Sequence, residues 1–246
     1  MQVAVGETYK SMSEKCADDL LEFIQSIKDP LLCTASGDTP KGMYAELIKQ
    51  VQEKKIDISN WHFIGLDEWA GMNGTDEGSC RYHLDNDLFR PLQVAEDRII
   101  FFDGRSNNLQ AQCDGIEDYI HLMGGIDVAI LGLGMNGHVG MNEPGTLPEL
   151  YSHVADIDAM TQAVGQKYFK NEQQLTKGLT LGLATLQEAS FLMLLANGNK
   201  KAAIIKKVLE ADASPQLPAT LLITHKKICI YLDKEAAALI TKNEHG

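Results

Sequence analysis

The sequence is poor in the features that mark several large protein classes. Cysteine is sparse and scattered: Cys16, Cys33, Cys80, Cys113 and Cys229 are odd in number, and no two stand at the short spacing of a zinc or dithiol motif. That pattern excludes a disulfide framework and a structural metal knot, and it makes a reducing cytoplasm the expected compartment. No apolar run approaches the roughly 20 residues of a membrane-spanning helix, and the opening residues 1–7 lack a basic stretch followed by an apolar one. Neither a membrane span nor an export signal is expected. Positive charge is short, with 22 Lys and Arg against 34 Asp and Glu and a net charge of −12. Nucleic acid and anionic membrane surfaces both demand a basic face, so neither is an expected partner. A small anion stays compatible, because a few lysines and backbone amides converging in one pocket bind phosphate whatever the total charge. Linkers, repeats and low-complexity tracts are also missing, so residues 1–246 read as one domain, and 44% hydrophobic content provides for a sizeable core.

What the chain does have is a regular alternation of short apolar runs and amphipathic stretches. Strands are expected at Leu31–Thr34, His62–Leu66, Arg98–Phe102, Ile126–Gly132, Phe191–Leu195 and Ile228–Leu232. Helices are expected from near Ser11, whose spacing to Glu14 makes a capping box, at Met43–Val51, at Leu109–Leu122 and at Lys200–Leu209. Strands alternating with helices of this length imply an α/β fold with a doubly wound, mostly parallel sheet flanked by helices. Right-handed crossovers gather the loops at the carboxyl ends of the strands along one edge, where such sheets bind ligands.

Three of those loops carry unusual chemistry. In Thr34-Ala-Ser-Gly-Asp-Thr-Pro40, Thr39 is a natural N-cap, Pro40 suits the first helical position and Gly37 permits a tight turn, so free amides would face the crevice. A phosphate fits there as well as an ordinary capped turn does, and Asp38 weighs against the phosphate unless it points away. Leu66-Asp67-Glu68-Trp69 places two carboxylates at the mouth of the sheet. Burial beside an apolar ring raises a carboxyl toward the range of a general base, and extended backbone sends adjacent side chains opposite ways, so at most one of the two is expected to face a substrate, a solvated acidic turn being the commoner case for such a pair. The third loop follows the strand at Ile126 and reads Gly134-Met-Asn-Gly-His-Val-Gly-Met-Asn-Glu-Pro-Gly145. His138 there is placed to act as acid or base, with Glu143 orienting it or sharing its proton. The remaining histidines, His62, His83, His121, His153, His225 and His245, form no constellation along the sequence.

These loops, together with Gly124-Gly-Ile-Asp127 and Gly198-Asn-Lys-Lys-Ala202, resemble the glucosamine-6-phosphate deaminase family, whose wider superfamily includes 6-phosphogluconolactonases. The loop ending in Asn142-Glu-Pro-Gly145 is the specific part, since the lactonases resemble it only as far as the histidine. The resemblance implies conversion of a phosphorylated amino sugar to a ketose 6-phosphate and ammonia, without a metal or an organic cofactor. It implies that Asp67 moves a proton between C2 and C1 through an enediol, and that His138 opens the sugar ring with Asn136 and Glu143 around it. For the phosphate it implies Ser36, Gly37, Asp38 and Thr39 with Lys167 and Lys201, lysine being a suitable point charge for that group.

Several positions depart from the family pattern. Asn136 stands where aspartate is common, and an amide takes up no proton, so any acid-base duty there passes to Glu143. Lys167 stands in place of arginine, Asp38 in place of a small residue, and Trp69 in place of tyrosine. Glucosamine 6-phosphate and galactosamine 6-phosphate are both compatible substrates. A lactonase using His138 as a general base and a non-catalytic phosphosugar sensor are the alternative readings. Oligomeric state is open, a homo-oligomer included.

Overall fold

The computed structural model describes residues 1–240, and His245 lies outside them. In chain order the strands are β1 (Gln2–Gly6), β2 (Leu31–Thr34), β3 (His62–Gly65), β4 (Asp67–Trp69), β5 (Ile99–Ile100), β6 (Val128–Gly132), β7 (His153–Asp156), β8 (Lys177–Thr180), β9 (Phe191–Ala196) and β10 (Ile228–Asp233). The helices are α1 (Tyr9–Ile24), α2 (Asp38–Lys54), α3 (Cys80–Leu84), α4 (Arg90–Leu92), α5 (Leu109–Met123), α6 (Ala159–Gly165), α7 (Leu183–Gln187), α8 (Ala202–Glu210) and α9 (Ala219–Leu222).

Seven strands form a parallel sheet in the order β1-β10-β9-β6-β2-β3-β5. The central strands read as unbroken apolar runs because both faces are covered, and alternate residues enter different cores. Leu192, Leu194, Ile228, Ile230 and Leu232 pack with α5, α7, α8 and α9 on one face. Met193, Leu195, Cys229 and Tyr231 pack with α1 and α2 on the other. The chain runs outward through β2, β3 and β5, then returns to the far side of β2 as β6. The order therefore reverses between β2 and β6, which puts the loops after those strands on either side of a crevice.

The doubly wound α/β class stands as expected, with corrections to its details. Helix α1 begins one turn earlier than the Ser11–Glu14 spacing predicts. Thr8 is the N-cap, and Ser11 is the reciprocating third residue of the box. The expected strand at Arg98–Phe102 shrinks to the pair Ile99–Ile100. Helix α2 extends well beyond Met43–Val51 at both ends. Its N-cap is Gly37, so Thr39 and Pro40 lie inside the first turn rather than at the cap and first position. The edge strand β1 and a small antiparallel sheet, β4-β8-β7, were not expected. That second sheet matters for the site, because β3 continues through Leu66 directly into β4 and carries Asp67 away from the main sheet. Among the described residues no helix is long and apolar enough to cross a membrane.

Candidate active site

The cleft at the switch point has a volume of about 220 Å³ and is walled by the loop after β2, strand β4, the loop after β6, and the segment from α6 to Tyr168. At the β2 wall the backbone turns at Gly37 with φ of 102°, a left-handed conformation that favours glycine, and a Cβ there would also meet the Tyr168 hydroxyl at 3.3 Å. Gly37 offers no side chain to cap α2, so the first amides of the helix carry no side-chain acceptor from their own N-cap. Thr39 donates its hydroxyl to Asn197 Oδ1 at 2.8 Å instead of capping the helix.

Extended backbone in β4 sends Asp67 and Glu68 to opposite sides, as the sequence predicts for adjacent strand residues. Asp67 lines the cleft. Burial pushes its carboxyl up to about 6, against a hydrogen bond from the Cys80 thiol that favours the ionised form. Glu68 is fully buried on the other side and accepts hydrogen bonds from the amides of Trp69 at 2.8 Å, Cys80 at 3.0 Å and Arg81 at 3.0 Å. Burial pushes its carboxyl up to about 7, while those amides favour the ionised form. Glu68 thus anchors the start of α3 to β4, and Cys80 sits beside Asp67 as a result.

The loop after β6 builds a relay. The His138 amide donates to Asn136 Oδ1 at 3.1 Å, which makes that oxygen an acceptor, and Asn136 Nδ2 accordingly donates to Glu143 Oε2 at 2.8 Å. His138 Nδ1 lies 2.7 Å from the same Asn136 oxygen, so Nδ1 carries the hydrogen and Nε2 keeps its lone pair. Thr161 at the start of α6 places its hydroxyl 3.0 Å from Nδ1 as a further partner. Burial holds the imidazole pKa below its ordinary value, against the pull of the Glu143 carboxylate 3.5 Å away. Asn136 and His138 line the cleft, whereas Glu143 stands behind them, 7% exposed, and reaches it only through the relay.

Two lysines supply positive charge. Lys201, just before α8, donates to the Leu133 carbonyl, and burial together with the like charge of Lys167 brings its pKa down to about 8. Lys167 arrives from the segment after α6 and pairs with Asp38 at 2.7 Å. Ser36, Gly37, Asp38, Thr39, Asp67, Asn136, His138, Lys167 and Lys201 therefore share one cleft, and Glu143 supports it from behind. Thr161, Cys80, Tyr168 and His83 also line it, and no motif or spacing in the sequence marks them. His83 rides on α3 and packs edge-on against Tyr168, ring centroids 5.2 Å apart. Among the described residues no three His, Cys, Asp or Glu side chains converge as metal ligands.

With this architecture and matches along nearly its whole length, the chain belongs to the family described as glucosamine-6-phosphate isomerases/6-phosphogluconolactonase, whose model matches residues 6–230. Within that family its similarity runs to the deaminases. It is 33% identical over 238 residues to a glucosamine-6-phosphate deaminase of Bacillus velezensis, covering 96% of this chain and 99% of the relative. It is 35% identical over 243 residues to one of Alkaliphilus metalliredigens, covering 98% and 100%. A solved monomeric glucosamine-6-phosphate deaminase superposes with a TM-score of 0.94 at 31% identity, covering 97% of this chain and 100% of that one. The 6-phosphogluconolactonase of Trypanosoma brucei, at 20% identity and a TM-score of 0.74 over 98% of each chain, shares the fold.

Proposed function

We propose that this chain converts an amino-sugar 6-phosphate, glucosamine 6-phosphate first, into the ketose 6-phosphate and ammonia. The observation that carries this reading is the pairing in one cleft of a raised carboxyl, Asp67, with an imidazole whose Nε2 is kept unprotonated by Asn136 and Glu143. The two curated relatives and the solved monomeric enzyme named as glucosamine-6-phosphate deaminases support the same choice.

Each group has a task that its chemistry suits. His138 Nε2 takes the proton of the anomeric hydroxyl and returns it to the ring oxygen as the bond from C1 to that oxygen breaks, giving the open-chain aldehyde. Asp67 removes the proton on C2, O1 takes up a proton from the substrate's own ammonium group, and Asp67 then delivers its proton to C1. Because C2 bears an amine, the intermediate is an enaminol rather than the enediol of a plain aldose, and it ends as an imine at C2. Water adds to that imine and ammonia leaves, so the sum is amino-sugar phosphate plus water giving ketose phosphate plus ammonia, with no net redox change. Lys201, Lys167 and the free amides of α2 hold the phosphate at the other end of the cleft.

Galactosamine 6-phosphate differs at C4 alone, so the two sugars belong in one assay. The purified protein is expected to release ammonia from glucosamine 6-phosphate, and parallel incubations with galactosamine 6-phosphate and 6-phosphogluconolactone read the competing substrates. Lactone hydrolysis without ammonia from either amino sugar would overturn the assignment.

A further inference from the structure

The phosphate end of the cleft already contains an anion. Asp38 is the first residue of α2, where the helix dipole and uncapped amides favour negative charge, and its carboxylate lies 2.7 Å from Lys167 Nζ and 3.6 Å from Lys41 Nζ. The contact also ties α2 to the segment after α6. There Lys167 lies 4.7 Å from the centre of the Tyr168 ring, and Tyr168 packs on His83. Of the two lysines lining the cleft, Lys201 is thus the one not engaged by a carboxylate among the described residues.

We propose that Asp38 is an internal competitor for the phosphate: in the free protein it occupies Lys167, and an incoming phosphate must exchange with it, taking over Lys167 while Asp38 turns toward Lys41 and solvent. A phosphate dianion beside an unmoved Asp38 would face a like charge at close range and have half the cleft's lysine charge withheld. Exchange relieves both. The pair is suited to exchange because its side chains are 50% and 61% exposed, and exposed ion pairs are weak. The device also discriminates. A carboxylate monoanion gains little by replacing another carboxylate on Lys167, whereas a dianionic phosphate gains charge and a third oxygen, so Asp38 acts as a specificity residue that keeps weak anions out.

This inference rests on the proposed function only in placing an anionic group at this end of the cleft, and its test needs no turnover. Binding of inorganic phosphate is measured by calorimetry on the wild type, Asp38→Asn, Lys167→Met and the double variant. The expected result is that Asp38→Asn tightens phosphate binding roughly twofold to fivefold at low salt. That gain is expected to shrink as salt is raised and to be largely lost when Lys167 is already Met. Unchanged or weaker binding in Asp38→Asn would overturn the proposal, as would a gain of the same size in the Lys167→Met background, which would leave simple repulsion as the whole effect. Ammonia release is assayed separately on the same proteins. Its absence with the calorimetric pattern intact removes the reaction assignment and keeps the competitor, and the converse pattern does the reverse.

Discussion

A half-buried carboxylate whose charge is poorly solvated is a liability to the fold, and position 67 allows the cost to be measured. The Asp67 pKa of about 6 lies above the ordinary 3.8, so between those values the native protein binds more proton than the unfolded chain. Stability therefore falls as pH rises through that window and stays lower above it. Asp67→Asn keeps the shape and removes the charge. It is expected to raise unfolding free energy at pH 8 by about 1 to 3 kcal/mol, a pKa unit being worth about 1.4 kcal/mol. The gain should vanish as pH is lowered below 4. The same variant is expected to lose roughly a hundredfold to ten-thousandfold in kcat while phosphate binding persists. Urea unfolding at the two pH values checks the first statement and steady-state kinetics the second; a variant less stable than wild type at pH 8 would contradict the account of Asp67. At this scale the sequence is informative about residue identity and about the opposed directions of Asp67 and Glu68, and silent about hydrogen-bond partners made only on folding. Asp67 and His138 were legible because residue type, strand-end position and flanking glycines agree. The part played by Asn136 was not, since it depends on which of two nearly identical side-chain atoms faces a backbone amide seen only after folding.

Between elements, Thr180 is a joint whose loss should be felt on both the Asp67 and the His138 sides of the cleft. It lies opposite Asp67 in the pairing of β4 with β8, is fully buried, and accepts the Met141 amide at 3.1 Å while its own hydroxyl lies 3.1 Å from the Leu181 carbonyl and 3.5 Å from that of Leu66. One hydroxyl thus connects β4, β8 and the loop after β6. Thr180→Val preserves volume but orphans the Met141 amide, and an unsatisfied buried donor costs about 1 to 3 kcal/mol. The expected outcome is that much loss in urea unfolding, together with lower kcat, because Asp67 and His138 lose a shared support. The element scale also explains what the sequence concealed. The central strands β2, β6, β9 and β10 were legible because burial on both faces leaves an unbroken apolar run. Strands β4, β7 and β8 are three or four residues long and mix charged, small and apolar residues, as in His153-Val-Ala-Asp156, so neither period nor length distinguishes them from loop. The capping error at α2 has a similar origin: Thr39 and Pro40 suit the start of a helix, but the glycine that permits the turn lies two residues earlier.

For the whole molecule, the pH response of kcat/KM should reflect two groups on opposite walls of the cleft. On the proposed reaction Asp67 works ionised, so activity is expected to fall as pH drops through about 6, and the second ionisation of a phosphate ester near 6 deepens that limb. Lys201, as the proposed phosphate partner, works protonated, so activity is expected to fall again as pH rises through about 8. A bell with those limbs is expected, and Lys201→Arg should move the alkaline limb out of range, because guanidinium stays charged throughout. An alkaline limb unchanged in that variant would detach Lys201 from the phosphate.

The sheet order carries a consequence for how the chain is made. Residues 2–6 form β1 on the outer edge, and their hydrogen-bond partners are residues 229–233 of β10. During vectorial synthesis on the ribosome, β2, β3 and β6 can associate early, and β9 can join them. The first strand must wait, unpaired, until the polypeptide has emerged past residue 233. Closure of that edge must follow the emergence of β10, and a nascent chain stalled before that point would hold the backbone of Gln2–Gly6 without its parallel partner.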